Sequence, residues 1–233
     1  MKTNPLYHMK KTIIAANWKS NKTKNEAKIW LNETALGNFP EHFEIVIFPS
    51  FTLLDYISGF VRINDTPFKI GAQDISPFDS GPYTGEISGK LIKEFADYVL
   101  IGHSERRAGF GESDEMIRKK VDMALRAGLT PIVCVSNISQ LDGLESKEGL
   151  VIAYEPLGAI STSGPNAQPE NPSLTSEFVQ KIKEKISAEV IYGGSVEAGN
   201  VGQYISLENI SGVLVGGQSL DPINFINIIK NAI

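Results

Sequence analysis

The sequence predicts an α/β chain folded as a (β/α)8 barrel: eight parallel strands closed on themselves, each followed by a helical segment, the fifth of them shortened. Three observations predict it. Short β-rich runs alternate with stretches of helical spacing along the whole length, the pattern of a parallel sheet with helical crossovers. The runs are near-continuously apolar, as strands buried on both faces are. No second composition regime, linker, low-complexity tract or repeat interrupts the alternation, so residues 12–233 read as one barrel domain behind an N-terminal extension, residues 1–11. An open doubly wound sheet is the alternative, but no G-x-G-x-x-G turn follows the first strand.

The elements follow in order. Thr12 to Asn17 is a buried strand, and Lys22 to Leu36 has helical spacing with Ala27, Trp30, Leu31 and Ala35 on one face. Glu44 to Phe48 is the second strand, followed by a weaker helix over Phe51 to Phe60. Phe68 to Ala72 is the third, followed by a long polar loop from Gln73 to Gly85 and a helix over Glu86 to Glu94. Asp97 to Ile101 is the fourth, and Ser113 caps a strong helix that runs to Ala127. Leu129 to Val135 is the fifth strand. The unit behind it is thin, since Asn137 to Lys147 holds only a short helix. Leu150 to Tyr154 is the sixth strand, and the helix from Ser173 to Ser187 takes Ser173 or Thr175 as its cap. Glu189 to Tyr192 with Glu197 to Tyr204, then Ser211 to Val215 with Asp221 to Ile233, complete the eight units.

Composition bounds the function. The chain of 233 residues is 42% hydrophobic and 21% charged, a soluble globular balance with no apolar run long enough to span a bilayer. Residues 1–11 lack a secretory signal. A single cysteine, Cys134, excludes an intrachain disulfide and fits a reducing, cytoplasmic setting. The net charge of −5 argues against nucleic acid but not against an anionic metabolite, which a local cluster of donors can hold.

In a closed barrel the carboxyl ends of the strands share one face, so residues there converge. Those ends carry Asn17 and Lys19, Gln73, His103, Glu155, Gly193-Gly194-Ser195 and Gly216-Gly217. The run Ile152-Ala153-Tyr154-Glu155-Pro156 delivers one carboxylate to a strand tip. Behind it lies a Gly-, Ser- and Pro-rich stretch able to fold over the carboxylate, a layout suited to a buried general base. Taken alone, Glu155 reads as a solvated surface Glu and His103 as a structural His; their joint placement on one rim argues otherwise. If Ser104 and Glu105 begin a helical turn, its amides favour a neutral His103 imidazole. The two glycine turns are suited to phosphate: backbone approaches the anion closely, and amides at a helix start point at it. Lys19 adds a full positive charge.

With these residues in place, the chain resembles the triosephosphate isomerase family over nearly its whole length, and so the TIM barrel. The motifs are N-W-K at Asn17 to Lys19, G-P-Y-T-G-E at Gly81 to Glu86 and I-G-H-S-E-R-R at Ile101 to Arg107. A-Y-E-P at Ala153 to Pro156, Y-G-G-S-V at Tyr192 to Val196 and L-V-G-G at Leu214 to Gly217 complete the set. The resemblance implies interconversion of dihydroxyacetone phosphate and glyceraldehyde 3-phosphate, with no cofactor and no metal. It implies Glu155 as the base, His103 as the group that polarises the carbonyl, and Lys19 and Asn17 as stabilisers of the enediolate. The resemblance likewise implies Glu105 beside Lys19, phosphate held by Ser161, Ser195, Gly216 and Gly217, and a lid hinged and latched by Pro156, Tyr192 and Ser195. It implies that Gln73, Tyr83, Thr84 and Arg106 belong to a loop region that reaches a neighbouring subunit. A homodimer is expected, with a tetramer as the alternative.

Two departures stand out. Gly158 takes a position where the family often has Trp, and Ser161 and Ser163 stand where glycines are common. Serine tolerates φ > 0 less readily than glycine, so lid closure is expected to be altered. Pro165 and Pro169 are expected to restrict the second hinge. The fifth helix is shortened, as in compact archaeal members, and Cys134-Val135-Ser136-Asn137 replaces the frequent C-x-G-E. The alternative function is a non-catalytic sugar-phosphate-binding barrel with an altered lid; another phosphate-using barrel enzyme is the third reading.

Overall fold

The structure, a computed structural model, describes residues 11–35, 37, 39–160 and 168–232. Eight strands, β1 (Thr12–Asn17), β2 (Phe43–Phe48), β3 (Phe68–Ala72), β4 (Tyr98–Ile101), β5 (Thr130–Val135), β6 (Val151–Tyr154), β7 (Glu189–Tyr192) and β8 (Gly212–Val215), close into a barrel in chain order. Every neighbouring pair is parallel, including β1 with β8.

Strand alternation sorts the apolar residues into two cores. Ile13, Ala15, Val46, Phe48, Leu100, Ile132, Cys134, Ala153, Ile191 and Leu214 fill the barrel. Their neighbours, among them Ile14, Ile45, Ile47, Val133, Ile152 and Val213, face the helices. Because both sides are buried, the strands read as continuous apolar runs. Two glycines make close packing possible. A Cβ on Gly71 would lie 2.0 Å from the Phe48 ring, and one on Gly212 would lie 2.0 Å from the Ile13 carbonyl oxygen. The latter is where β8 closes on β1.

The helices are α1 (Lys24–Thr34), α2 (Leu54–Asn64), α3 (Gly89–Lys93), α4 (Ser104–Phe110), α5 (Asp114–Arg126), α6 (Pro172–Lys185), α7 (Val201–Ile205) and α8 (Pro222–Asn231). Several are shorter than their spacing predicts, for local reasons. Thr23 and Glu26 form a capping box that starts α1 at Lys24. The end expected at Leu36 lies outside the described residues. Ser113 caps α5 as expected. The cap of α6 is Asn171, not Ser173 or Thr175: its side chain accepts from the Ser173 amide, and Pro172 occupies the first turn, where a missing donor costs nothing. The thin fifth unit holds one 3-10 turn, Ile138–Leu141. Helix α4, immediately after β4, was legible only as a turn at Ser104 and Glu105.

The first and last units are tied across the closure. The Trp30 indole of α1 donates to the Ser219 carbonyl at 2.9 Å, and Lys22 Nζ to the Leu220 carbonyl at 2.7 Å. No helix among the described residues is long and apolar enough to cross a membrane.

Candidate active site

The carboxyl ends of the strands surround a cavity of about 440 Å³ lined by Asn17, Lys19, His103, Ser104, Glu155, Gly193 to Glu197, Leu214 and Gly216 to Gln218, with Ala159, Ile160, Gln168 and Pro169 from the covering segment. Every strand-end residue expected to bear the chemistry reaches this one cavity, save Gln73.

Glu155 directly follows β6 and is almost wholly buried, 1% exposed. Its Oε2 accepts from the Ser104 amide at 3.0 Å, and its Oε1 lies 3.2 Å from His103 Nε2. His103 is the cap of α4, and its Nδ1 accepts from the Glu105 amide at 3.2 Å. A ring nitrogen that accepts a backbone N–H carries no proton, so the imidazole N–H is at Nε2, beside the Glu155 carboxylate and the cavity. Cys134, near the carboxyl end of β5, is wholly buried; burial first, then the charge of the same Glu155 carboxylate, push its thiol well above the ordinary 9.0. The Glu155 carboxylate therefore rests among residues at the ends of β4, β5 and β6.

Lys19 sits just beyond β1 with φ of 53°, a left-handed conformation that costs a lysine energy and persists only where the surroundings enforce it. Three contacts enforce it. The Asn17 Oδ1 accepts the Lys19 amide at 3.0 Å. Gln73 Nε2 donates to the Lys19 carbonyl at 2.8 Å and to the Phe48 carbonyl at 2.9 Å. Lys19 Nζ meets Glu105 Oε1 at 2.6 Å. Gln73, expected in the subunit-contacting loop, thus has its amide on the Lys19 turn.

At that loop's root Asp74 lies between Lys120 Nζ, 2.6 Å away, and the Arg106 guanidinium, 2.8 Å away; both cations also meet Glu112 at 2.5 Å. Burial raises the Asp74 carboxyl, and Lys120 is the chief opposing influence. Farther out, the Phe78 and Tyr83 rings stack 4.3 Å apart and stay about 40% or more exposed, with Thr84 exposed beside them.

On the far side of the cavity, Gly216 follows the end of β8 and Gly217 opens a 3-10 turn to Leu220. The Ser195 hydroxyl donates to the Ala159 carbonyl at 2.8 Å, and the Glu170 amide donates to the Tyr192 hydroxyl at 3.1 Å. Pro156 accepts from the Ala159 amide at 3.0 Å. The covering segment is fastened at both ends by residues expected as hinge and latch. Ser161, with Ser163 and Pro165, lies outside the described residues.

Comparison with known proteins decides the family. The profile of the family described as triosephosphate isomerase matches residues 12–232. The chain belongs to the triosephosphate isomerase family. Enzymes so named from Trichodesmium erythraeum and Dictyoglomus thermophilum are 38% and 40% identical to it, over 95% and 96% of this chain and 99% and 100% of their own. One from Thermus thermophilus is 33% identical over 96% of this chain and 100% of its own. As a triosephosphate isomerase the chain is an aldose–ketose isomerase, and triose phosphates are its substrates. Three contributors to the site were not foreseen from the motifs: the Cys134 thiol, the Ser104 amide and the Gln73 clamp. Only the placement of Cys134 on a strand beside β6 hinted at the first.

Proposed function

We propose that Glu155, His103, Lys19 and Asn17 carry out the isomerisation of dihydroxyacetone phosphate and glyceraldehyde 3-phosphate through an enediolate. The observation that carries this is the pairing of Glu155 with His103 Nε2–H at 3.2 Å inside the cavity that also holds Lys19. Glu155 removes a proton from the carbon next to the carbonyl, and the electron pair moves onto the carbonyl oxygen. His103 donates from Nε2 to that oxygen, taking over from its contact with Glu155. Glu155, whose acquired proton exchanges with solvent while the enediolate is held, then delivers a proton to the neighbouring carbon, while the imidazole carries a proton between the two oxygens. This pairing of a Glu base with a neutral His is a general example of tuned acid–base chemistry already described for this enzyme. The Lys19 ammonium and Asn17 stabilise the charge on the enediolate, where preorganised donors act most strongly. Glu105 positions Lys19. Amides at Ser195, Gly216, Gly217 and Ser161 hold the phosphate, and Tyr192, Ser195 and Pro156 secure the cover.

Residues 12–233 act as one barrel domain, a reading supported by the family match over 12–232, with residues 1–11 an extension outside it. The protein works as a cytoplasmic homodimer whose contact includes the loop around Tyr83 and Thr84. A coupled isomerase assay tests the site: general-base catalysis is worth roughly 10²–10⁴-fold, so Glu155→Gln lowers kcat at least about 10²-fold while the protein stays folded. Near wild-type turnover in that variant would exclude Glu155 as the base. A wild-type protein that binds a triose phosphate but turns none over would favour the non-catalytic alternative.

A further inference from the structure

Where the covering segment rejoins the barrel, just ahead of α6, one residue gathers four hydrogen bonds. Glu170 Oε1 accepts from the Tyr154 hydroxyl at 3.1 Å, and Oε2 from the Thr175 hydroxyl at 2.8 Å. Its amide donates to the Tyr192 hydroxyl at 3.1 Å, and its carbonyl accepts from the Tyr204 hydroxyl at 2.6 Å. The rings of Tyr192 and Tyr204 in turn stack 3.9 Å apart. The result is one packed group: the Glu170 amide is bonded to Tyr192, the Tyr192 ring is stacked on Tyr204, and Tyr204 is bonded back to the Glu170 carbonyl. Tyr154, Thr175, Tyr192 and Tyr204 are all buried, so each hydroxyl needs a partner and Glu170 meets most of that need.

The position of Tyr154 makes this arrangement bear on catalysis. It is the last residue of β6 and the neighbour of Glu155. By strand alternation its side chain faces the helices, stacked on Phe178 of α6 at 4.2 Å, while the next residue reaches the cavity. Its carbonyl accepts from the Gly193 amide at 2.7 Å, which ties the same peptide to the turn of Gly193 and Gly194. A Cβ on Gly194 would lie 2.2 Å from the Tyr192 hydroxyl, so the hydroxyl that accepts the Glu170 amide sits directly against that turn.

We propose that Glu170 is a positioning residue for the catalytic base: its carboxylate locks the Tyr154 hydroxyl and its peptide holds the hydroxyls of the stacked Tyr192 and Tyr204, so that the strand end bearing Glu155 and the root of the cover are held as one body. The proposal rests on Glu155 being the base. A base displaced by a fraction of an ångström loses rate without losing affinity for the substrate phosphate. A loosened cover root admits water, and an enediolate phosphate in contact with water expels inorganic phosphate in place of completing the isomerisation.

The test uses the full chain with Glu170→Ala, Glu170→Gln and Tyr154→Phe, reading kcat, KM, inorganic phosphate released per isomerisation, and the melting curve. Glu170→Ala is expected to lower kcat at least about tenfold, a loss of roughly one hydrogen bond to a charged group, with KM little changed and phosphate release per turnover raised. Glu170→Gln is expected to keep most of the activity, because a tyrosine or threonine hydroxyl can accept from an amide as readily as it donates to a carboxylate. A purely structural role would lower the melting temperature and leave kcat and the phosphate ratio of the folded enzyme alone, and that result overturns the proposal. Should Glu170→Ala not fold, Tyr154→Phe decides: it keeps the stack on Phe178 and removes only the hydroxyl. Raised phosphate release in that variant supports the proposal, and wild-type kcat and ratio overturn it. Inactivity of the wild-type protein would count against the assignment of the site, not against this anchor alone.

Discussion

At the scale of the residue, the site was legible wherever a side chain acts from a strand tip and opaque wherever it acts from behind one. Asn17, Lys19, His103 and Glu155 stand where βα chemistry puts reactive groups, and all four line the cavity. Gln73 stands at a strand end too, but its job is to hold two carbonyls, and nothing in a sequence tells an amide that binds substrate from one that satisfies backbone. Gln73→Leu would leave the Lys19 and Phe48 carbonyls without that donor, and it would also release the left-handed Lys19 turn. The expected cost is about 1–3 kcal/mol of stability by urea unfolding, together with a raised KM as Lys19 loses its place. Cys134 gives a prediction with a sign. Its thiol is raised in the native protein, so above about pH 9 the unfolded chain releases a proton that the native state retains. Stability then falls as pH climbs beyond the ordinary thiol value. The native thiol should resist iodoacetamide at pH 8 and react promptly once the chain is unfolded. Fast native alkylation would contradict the buried, protonated thiol beside Glu155.

At the scale of the element, existence was easier to read than extent. All eight strands fall where their apolar runs predict. Helix ends were set by side chains that hydrophobic spacing does not weigh: Asn171 rather than Ser173 or Thr175 at α6, and the Thr23–Glu26 box at α1. Helix α4 has no buried residues, so it lacks the periodic stripe by which a helix is recognised. The barrel's closure depends on one contact that no periodicity reveals, the approach of Gly212 to the Ile13 carbonyl. Gly212→Ala would force a methyl to within 2.0 Å of that oxygen, and the β1–β8 pairing would have to part. Such a clash in a closed sheet should cost more than about 4 kcal/mol, read as a large fall in melting temperature or loss of soluble protein. A variant with wild-type melting would show that the closure tolerates a wider gap.

At the scale of the whole molecule, the barrel brings together residues separated by most of the chain, and its loop beyond β3 carries an exposed, stacked Phe78–Tyr83 pair on a root pinned by Asp74, Arg106 and Lys120. Paired exposed aromatics on an anchored loop suit a subunit contact, so sedimentation at micromolar concentration should return the mass of two chains, and a monomer there would count against the proposed dimer. The central claim is the convergence of Glu155, His103 and Lys19 on one triose. The most direct measurement follows deuterium from D2O into the carbon next to the carbonyl of dihydroxyacetone phosphate, by NMR, for the wild-type protein and for Glu155→Gln. The account predicts ready incorporation by the wild type and a rate at least about 10²-fold lower in the folded variant. Equal incorporation by both would contradict it.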